Sequence, residues 1–101
     1  MSIATHDDVA ADRIAEIKAR RDSKLAIVLR DIRPAWIVGE QVSPIKNDCV
    51  FDVVLRYGGR WAQRRYLYDA EVDVLHFRGE TPFDETRLHT LPDDGLFQAP
   101  T

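Results

Sequence analysis

The sequence predicts an α+β domain in which an N-terminal helix packs on a four-stranded antiparallel β-meander, followed by a short helix and an acidic tail. Three observations lead to this prediction. The first third of the 101-residue chain repeats apolar residues with a helical period. Pro34 ends that pattern, and strand-like segments follow it. Gly58-Gly59 lies between two of these segments, and paired glycines supply the positive φ angles of a two-residue hairpin turn.

The N-terminal pattern predicts a helix that begins near His6, with Thr5 as its N-cap, and ends before Pro34. A single helix over 6–32 would be about 40 Å long, whereas a compact domain of this length is about 26 Å across. We therefore consider one long helix or two helices that divide at 21–23, and a strand over 24–29 is a weaker third alternative. The apolar stripe consists of Ala10, Ile14, Ile17, Leu25, Val28 and Ile32, and Arg21 interrupts it.

Four segments after Pro34 have the composition and alternation of β-strands. Glycines or polar turns separate them, which predicts a meander in which each strand pairs with the next. The following segment, 84–89, is predicted to form a short helix before the acidic tail. Residues 1–5 and 92–101 are expected to be flexible. The predicted strands are 36–38, 50–57, 61–68 and 72–77, with the first ending at Gly39 and the fourth before Gly79.

Length and composition restrict the class of protein. The chain has room for one domain, 1–101, and its 45% hydrophobic and 31% charged content is typical of a folded globular protein. Cys49 is the single cysteine, and the chain opens without a basic segment followed by an apolar run, which argues against secretion. The apolar stretches are far shorter than the about 20 residues that cross a bilayer. We therefore expect a cytoplasmic protein with no membrane partner.

Charge is distributed unevenly along the sequence. The net charge is −3 overall, but residues 34–68 carry +2 and residues 69–101 carry −6. A basic hairpin and an acidic C-terminal third can attract each other across a two-fold axis, because such interfaces are self-complementary. The charge pattern therefore favours a homodimer.

A two-residue turn at 58–59 fixes the register of the central hairpin. The numbers of cross-strand partners then sum to 117, and side chains alternate between two faces. Asp52 and Arg65 become an opposite-charge pair on one face, where Arg56 is expected to lie over the ring of Trp61. Arg64 falls on the opposite, apolar face, where a guanidinium requires a carboxylate partner. Glu16 and the acidic residues of the C-terminal third, 69–101, are the candidates for that partner.

The face that carries Asp52 also carries more apolar area than a wet sheet face should. This excess indicates that the tail over 91–97 or a second copy of the protein covers it. This excess apolar area and the position of Arg64 on the apolar face together define the candidate binding residues. They are Arg56, Trp61, Arg64, Arg65, Val50, Val54 and Leu67.

The sequence contains no arrangement typical of catalysis or of cofactor binding. The three histidines, His6, His76 and His89, lack the spacing of metal ligands, and Cys49 has no companion. Cys49 on an apolar strand is expected to pack as an inert side chain. We therefore predict no catalytic residue, no metal and no cofactor, and we expect that the protein is not an enzyme.

Three functions from different classes are compatible with these residues. The preferred one is a non-catalytic protein–protein interaction module that forms a homodimer or binds a further protein. The second is single-stranded nucleic-acid binding through the basic and aromatic residues of 56–68, which a pI near 5.5 disfavours. The least favoured is a small-molecule pocket between helix and sheet. Its expected lining is Trp36, Tyr66, Tyr68 and His76.

Overall fold

The computed structural model describes residues 6–100, with side chains from Val9 onward. Its four strands form one antiparallel sheet in the order β1-β2-β3-β4, and a helix packs on one face of the sheet. The predicted α+β architecture is confirmed. The elements are α1 (His6–Leu29), β1 (Ala35–Ser43), β2 (Asp48–Tyr57), β3 (Arg60–Asp69), β4 (Val74–Pro82) and two short 3₁₀ helices, Glu85–Thr90 and Asp93–Gly95.

α1 is one continuous helix of 24 residues, which at 1.5 Å per residue spans about 36 Å. Of the alternatives, the single helix is correct, and the strand over 24–29 is wrong because the helix continues through it. The helix ends at Leu29, earlier than Ile32, and Arg30 follows with a φ of 51°. The Thr5 cap lies outside the described residues. The long helix belongs to an elongated molecule of 55 × 28 × 25 Å.

The central hairpin has the predicted register. Tyr57 pairs with Arg60 and Asp48 pairs with Asp69, and the turn glycines have φ angles of 63° and 79°, as a type I′ turn requires. Side chains of β2 and β3 therefore alternate between an inner face, which packs against α1, and an outer face. The buried inner-face residues of these strands are Cys49, Phe51, Val53, Leu55, Ala62, Tyr66 and Tyr68.

The prediction that β1 ends at Gly39 is wrong, because a β-bulge lets the strand continue to Ser43. The register with β2 shifts by one residue between Val38 and Gln41, so that Gly39 and Glu40 lie together opposite Phe51. Gly39 adopts a φ of 62°, a conformation that suits glycine at a bulge. The extra residue keeps Glu40 on the inner face with Phe51, whereas a regular strand would turn Glu40 to the outer face.

β4 also continues past the glycine that was expected to follow its end. Its register with β3 shifts by one residue ahead of Gly79, which inserts Arg78 as an extra residue. Beyond this bulge Glu80 pairs with Arg64, which belongs to the inner face. A strand without the bulge would place Glu80 on the outer face. Each of the two Gly-Glu pairs in the sequence thus turns a glutamate toward the inner face.

The glutamate of the first bulge meets an arginine of α1. The buried helix positions are Ile17, Arg21, Leu25 and Leu29, so the arginine lies in the middle of the apolar stripe with only 2% of its surface exposed. Its guanidinium donates to the Glu40 carboxylate, to Asp22 at 2.8 Å and to the Cys49 sulfur at 3.3 Å. It also lies 5.0 Å from the ring centroid of Phe51. A single charged group therefore connects α1, β1 and β2.

The electrostatics of this cluster favour its charged form. Burial alone would lower the pKa of Arg21, but hydrogen bonding to Glu40 and the charge of Asp22 raise it above its usual value. Burial alone would raise the pKa of Glu40, but the hydrogen bond and charge of Arg21, with Lys18 at 3.3 Å, hold it below its usual value. Both groups are therefore ionised at neutral pH, as a buried pair must be to remain stable.

Replacement of the buried guanidinium should be costly. We expect Arg21→Ala to lower the free energy of unfolding by about 3 kcal/mol, because it leaves the partly buried Glu40 with Lys18 as its remaining partner and removes a buried guanidinium that also bonds Asp22 and Cys49. The matched control is Arg20→Ala, which removes an exposed arginine 3.9 Å from Asp73 and should cost at most about 1 kcal/mol. Urea denaturation of both variants measures the difference. Equal losses would contradict the role assigned to Arg21.

The lowered pKa of Glu40 predicts acid sensitivity. Its ionisation stabilises the fold above the unfolded pKa of about 4.3, and this contribution is lost as the pH falls through the lower folded value. Glu40→Gln should therefore be less stable than the wild type at pH 7 and lose less stability on acidification. Urea unfolding between about pH 3 and pH 7 measures the slope. Glu16→Gln, an exposed partner of Arg13, is the control that should keep the wild-type slope.

Candidate interaction surface

The C-terminal segment, residues 83–97, crosses the outer face at its hairpin end. It begins beside Trp61, whose carbonyl accepts a 3.0 Å hydrogen bond from the amide of Phe83. It ends at β1, where Leu96 forms a bridge with Trp36 and the Phe97 amide donates to a carbonyl of β1 at 2.8 Å. Between these points the outer-face residue Val54 is fully buried. The chain therefore covers part of its own outer face.

A cleft of about 710 Å³ lies along the C-terminal segment, β1 and α1. Val38 and Leu91 contribute apolar surface, and Lys18 and Glu40 contribute charges that already pair with each other. The cleft is not the pocket that the sequence predicted between helix and sheet. That region is filled by buried side chains of the core.

The residues expected to line a helix–sheet pocket do not come together. Tyr66 and Tyr68 are buried on the inner face, and the Tyr68 hydroxyl donates to Asp73. Burial and this hydrogen bond raise the pKa of Tyr68 to about 12. Trp36 and His76 belong instead to the outer face, since their partners in the sheet do. The four side chains therefore form no common site.

A polar network occupies the middle of the outer face. The Asp52 carboxylate, 9% exposed, accepts hydrogen bonds from the Gln63 amide at 2.8 Å and from Arg65 at 3.0 Å. The predicted pair of Asp52 and Arg65 is confirmed, and its hydrogen bond and charge raise the pKa of Arg65. With Arg78, these residues line a shallow depression of about 360 Å³. The bulge in β4 therefore adds a second arginine to this part of the face.

The ring of Trp61 has a different neighbour from the one predicted. Its centroid lies 6.1 Å from that of Trp36, with the two rings tilted by 41°. Within residues 9–100 the cation–π pairs involve Arg21, Arg33 and Arg64, so the expected stacking of Arg56 on Trp61 is wrong. Trp36 lies on this face because β1 pairs it with Val54, whose side chain belongs to the outer face.

Arg64 lies on the inner face, as predicted, and its charge is matched there. It donates to Glu80 at 2.7 Å, and its guanidinium carbon lies 5.8 Å from the ring centroid of Tyr57. Burial would lower the pKa of Arg64, but the hydrogen bond to Glu80 raises it. An acidic residue of the C-terminal third is therefore its partner, and Glu16 bonds Arg13 instead. Arg64 does not join the other candidate binding residues.

Part of the outer face stays open. Val50 on β2 is 37% exposed, its partner Leu67 on β3 is partly exposed, and Val74 at the end of β4 is exposed. Charged residues flank this apolar pair along the strands. We call this surface the open half of the outer face, and it comprises Gln41, Val50, Leu67, His76, Asp48, Asp69, Val74, Asp52, Arg65 and Arg78.

The seven sequence-predicted binding residues lie in four different places. Val50, Leu67 and Arg65 lie in the open half, whereas Val54 and Trp61 lie at the end that the C-terminal segment crosses. Arg56 is exposed near the turn, and Arg64 is on the inner face. Sequence reasoning missed Asp48, Asp69 and Arg78. The hairpin register already contained the pair of aspartates, but the position of Arg78 depends on the bulge.

The described part of the chain gives little support to metal binding or to chemistry at the Cys49 thiol. No group of three His, Cys, Asp or Glu side chains there is arranged to hold a metal ion. Cys49 is fully buried, and burial raises the pKa of its thiol despite the opposing hydrogen bond from Arg21. No helix within residues 6–100 is long and apolar enough to cross a membrane.

Comparison of the chain with protein-family models, with curated proteins and with solved structures finds no match. Fold similarity therefore contributes nothing to the function. The surfaces and side chains of the protein itself are the basis for a functional proposal.

The attachment of the C-terminal segment can be tested at Phe97, which is 5% exposed and lies against Arg33. We expect Phe97→Ala to lower the free energy of unfolding by about 3 kcal/mol, because it removes a buried ring from the core. Leu96→Ala, at an exposed neighbouring position, should cost about 1 kcal/mol or less. Urea denaturation compares the two. A Phe97→Ala variant as stable as Leu96→Ala would mean that the segment is not held in place.

Proposed function

We propose that this protein is a non-catalytic protein–protein interaction module that forms a homodimer through the open half of its outer face. The observation that supports the proposal is the apolar pair of Val50, which is 37% exposed, and the partly exposed Leu67, on a face whose hairpin end is covered by the chain itself. Apolar surface between charged neighbours is typical of an interaction site. A cytoplasmic location completes the proposal and agrees with the unpaired, buried Cys49.

The size of the open half indicates a weak association. Three rows of side chains on four strands measure about 20 Å along the strands and about 19 Å across them. The resulting area, about 400 Å² per subunit, is roughly half of a standard interface. We therefore expect a concentration-dependent dimer rather than a permanent one.

Single-stranded nucleic-acid binding has less support from the same residues. The rings of Tyr66 and Tyr68 are buried, so they are not available for stacking on bases. Arg64 and Arg65 already pair with carboxylates, which reduces the positive charge offered to phosphates. The interaction module is the function that these contacts favour.

A lysine at the centre of the open half should prevent self-association. We expect Val50→Lys to weaken the dimer at least about tenfold, because it places a charge in the apolar contact. Val72→Lys is the matched control: it changes a valine that is 63% exposed in the β3–β4 turn and should have no effect. Sedimentation equilibrium from about 10 μM to about 1 mM measures the constants.

Two outcomes of this experiment would refute the homodimer. A wild-type protein that stays monomeric over the whole concentration range would remove it. So would a Val50→Lys variant that associates as tightly as Val72→Lys while both retain the wild-type circular dichroism.

A further inference from the structure

The open half of the outer face consists of three cross-strand rows that differ in charge. The apolar row has Val50 and Leu67, which pair directly, at its centre, and it continues to Gln41 on β1 and His76 on β4. On its side toward the hairpin turn lies the basic row, with a net charge of +1, and on its other side lies the acidic row, with a net charge of −2. The basic row contains Asp52, Arg65 and Arg78, and the acidic row contains Asp48 and Asp69.

The acidic row lacks a countercharge within the described chain. Asp48 and Asp69 are direct cross-strand partners, and like charges in that position repel each other. Among residues 9–100 no lysine, arginine or histidine forms an ion pair with either carboxylate. Asp69 accepts a 3.0 Å hydrogen bond from the amide of Glu71, which satisfies part of its bonding capacity but leaves its charge. An external cation would stabilise this row.

The basic row carries a net positive charge that is available to a partner. Asp52 is buried and is neutralised by Arg65, whose own side chain is 65% exposed. Arg78 is exposed, and the bulge places it beside Arg65 on the same face. The row therefore combines one matched pair with one additional guanidinium. Successive rows lie about 6.8 Å apart, within the length of an arginine side chain.

We infer that the partner of this surface is a second copy stacked face to face with its strands antiparallel, which rests on the homodimer proposed above. The two-fold axis lies between the two sheets, perpendicular to the strands and along the apolar row. Each apolar row then meets its copy, and each basic row lies over the acidic row of the other subunit. Sheets that pack face to face are about 10 Å apart, so long arginine side chains can reach the carboxylates.

The charge pattern distinguishes this arrangement from the other two-fold stacking of the same face. An axis parallel to the strands would also bring the apolar rows together, but it would place the acidic row on itself. Asp48 and Asp69 of both copies would then form a group of four carboxylates without a cation. Perpendicular placement of the axis instead gives two contacts between opposite charges, so electrostatics select it.

Charge exchange between two variants tests this stacking. Asp48→Lys/Asp69→Lys changes the acidic row from −2 to +2, and Arg78→Glu changes the basic row from +1 to −1. Each variant alone then opposes like charges in both contacts, and we expect its self-association to weaken at least about tenfold. In an equimolar mixture both contacts join opposite charges, so a heterodimer should form with an affinity close to that of the wild-type homodimer. Sedimentation of the mixture, with one variant fluorescently labelled, measures it.

Control variants separate the possible failures. Arg30→Glu, which changes an exposed arginine at the end of α1 on the other side of the sheet, should leave association unchanged. The double variant loses the hydrogen bond between the Glu71 amide and Asp69. If circular dichroism shows that this variant is unfolded, the single variant Asp48→Lys takes its place in the mixture and should recover part of the affinity. A wild-type dimer whose charge variants do not recover association on mixing would overturn this stacking but leave the homodimer in place. A monomeric wild type would overturn the homodimer itself.

Discussion

The requirement that every charge on the inner face has a partner determines much of this fold. Arg21 lies inside the apolar stripe of α1, and a guanidinium buried without a carboxylate would be too costly to keep. Glu40 meets it only because the bulge at Gly39 keeps that glutamate on the inner face. The position of the helix, the bulge in β1 and the burial of the core against Phe51 therefore depend on one ion pair.

The opposite edge of the sheet, formed by β4, has a second ion pair that also depends on a bulge. Arg64 lies on the inner face because of the hairpin register, and the bulge ahead of Gly79 turns Glu80 toward it. The two Gly-Glu pairs thus have the same role on β1 and β4, the outer strands of the sheet. Bulges are common on edge strands, where they also interrupt the row of free backbone groups that could pair with another chain. Charge matching and edge protection are achieved by the same residues.

The sequence predicted the local features well and the tertiary ones less well. The hairpin register followed from Gly58-Gly59 and the alternation of its strands, because both are local. The strand ends predicted at Gly39 and Gly79 were wrong, because a glycine is typical of a strand terminus and of a bulge alike. The need of Arg21 and of Arg64 for a carboxylate decides between the two. The sequence predicted the tail over 91–97 as one of two possible covers of the outer face, and the C-terminal segment does cover the hairpin end of that face. Its detailed path was not predicted, since its apolar residues follow neither a helical nor a strand period.

The charges on the outer face depend on the ion pairs of the inner face. The bulge that turns Glu80 inward inserts Arg78 as the extra residue, and Arg78 then lies beside Arg65 on the outer face. The basic row of the open half is therefore a by-product of the partner that Arg64 needs on the inner face. Meanwhile the C-terminal segment covers the hairpin end and leaves Val50 between this row and the acidic one. Internal charge matching and the proposed interaction surface thus share one structural cause.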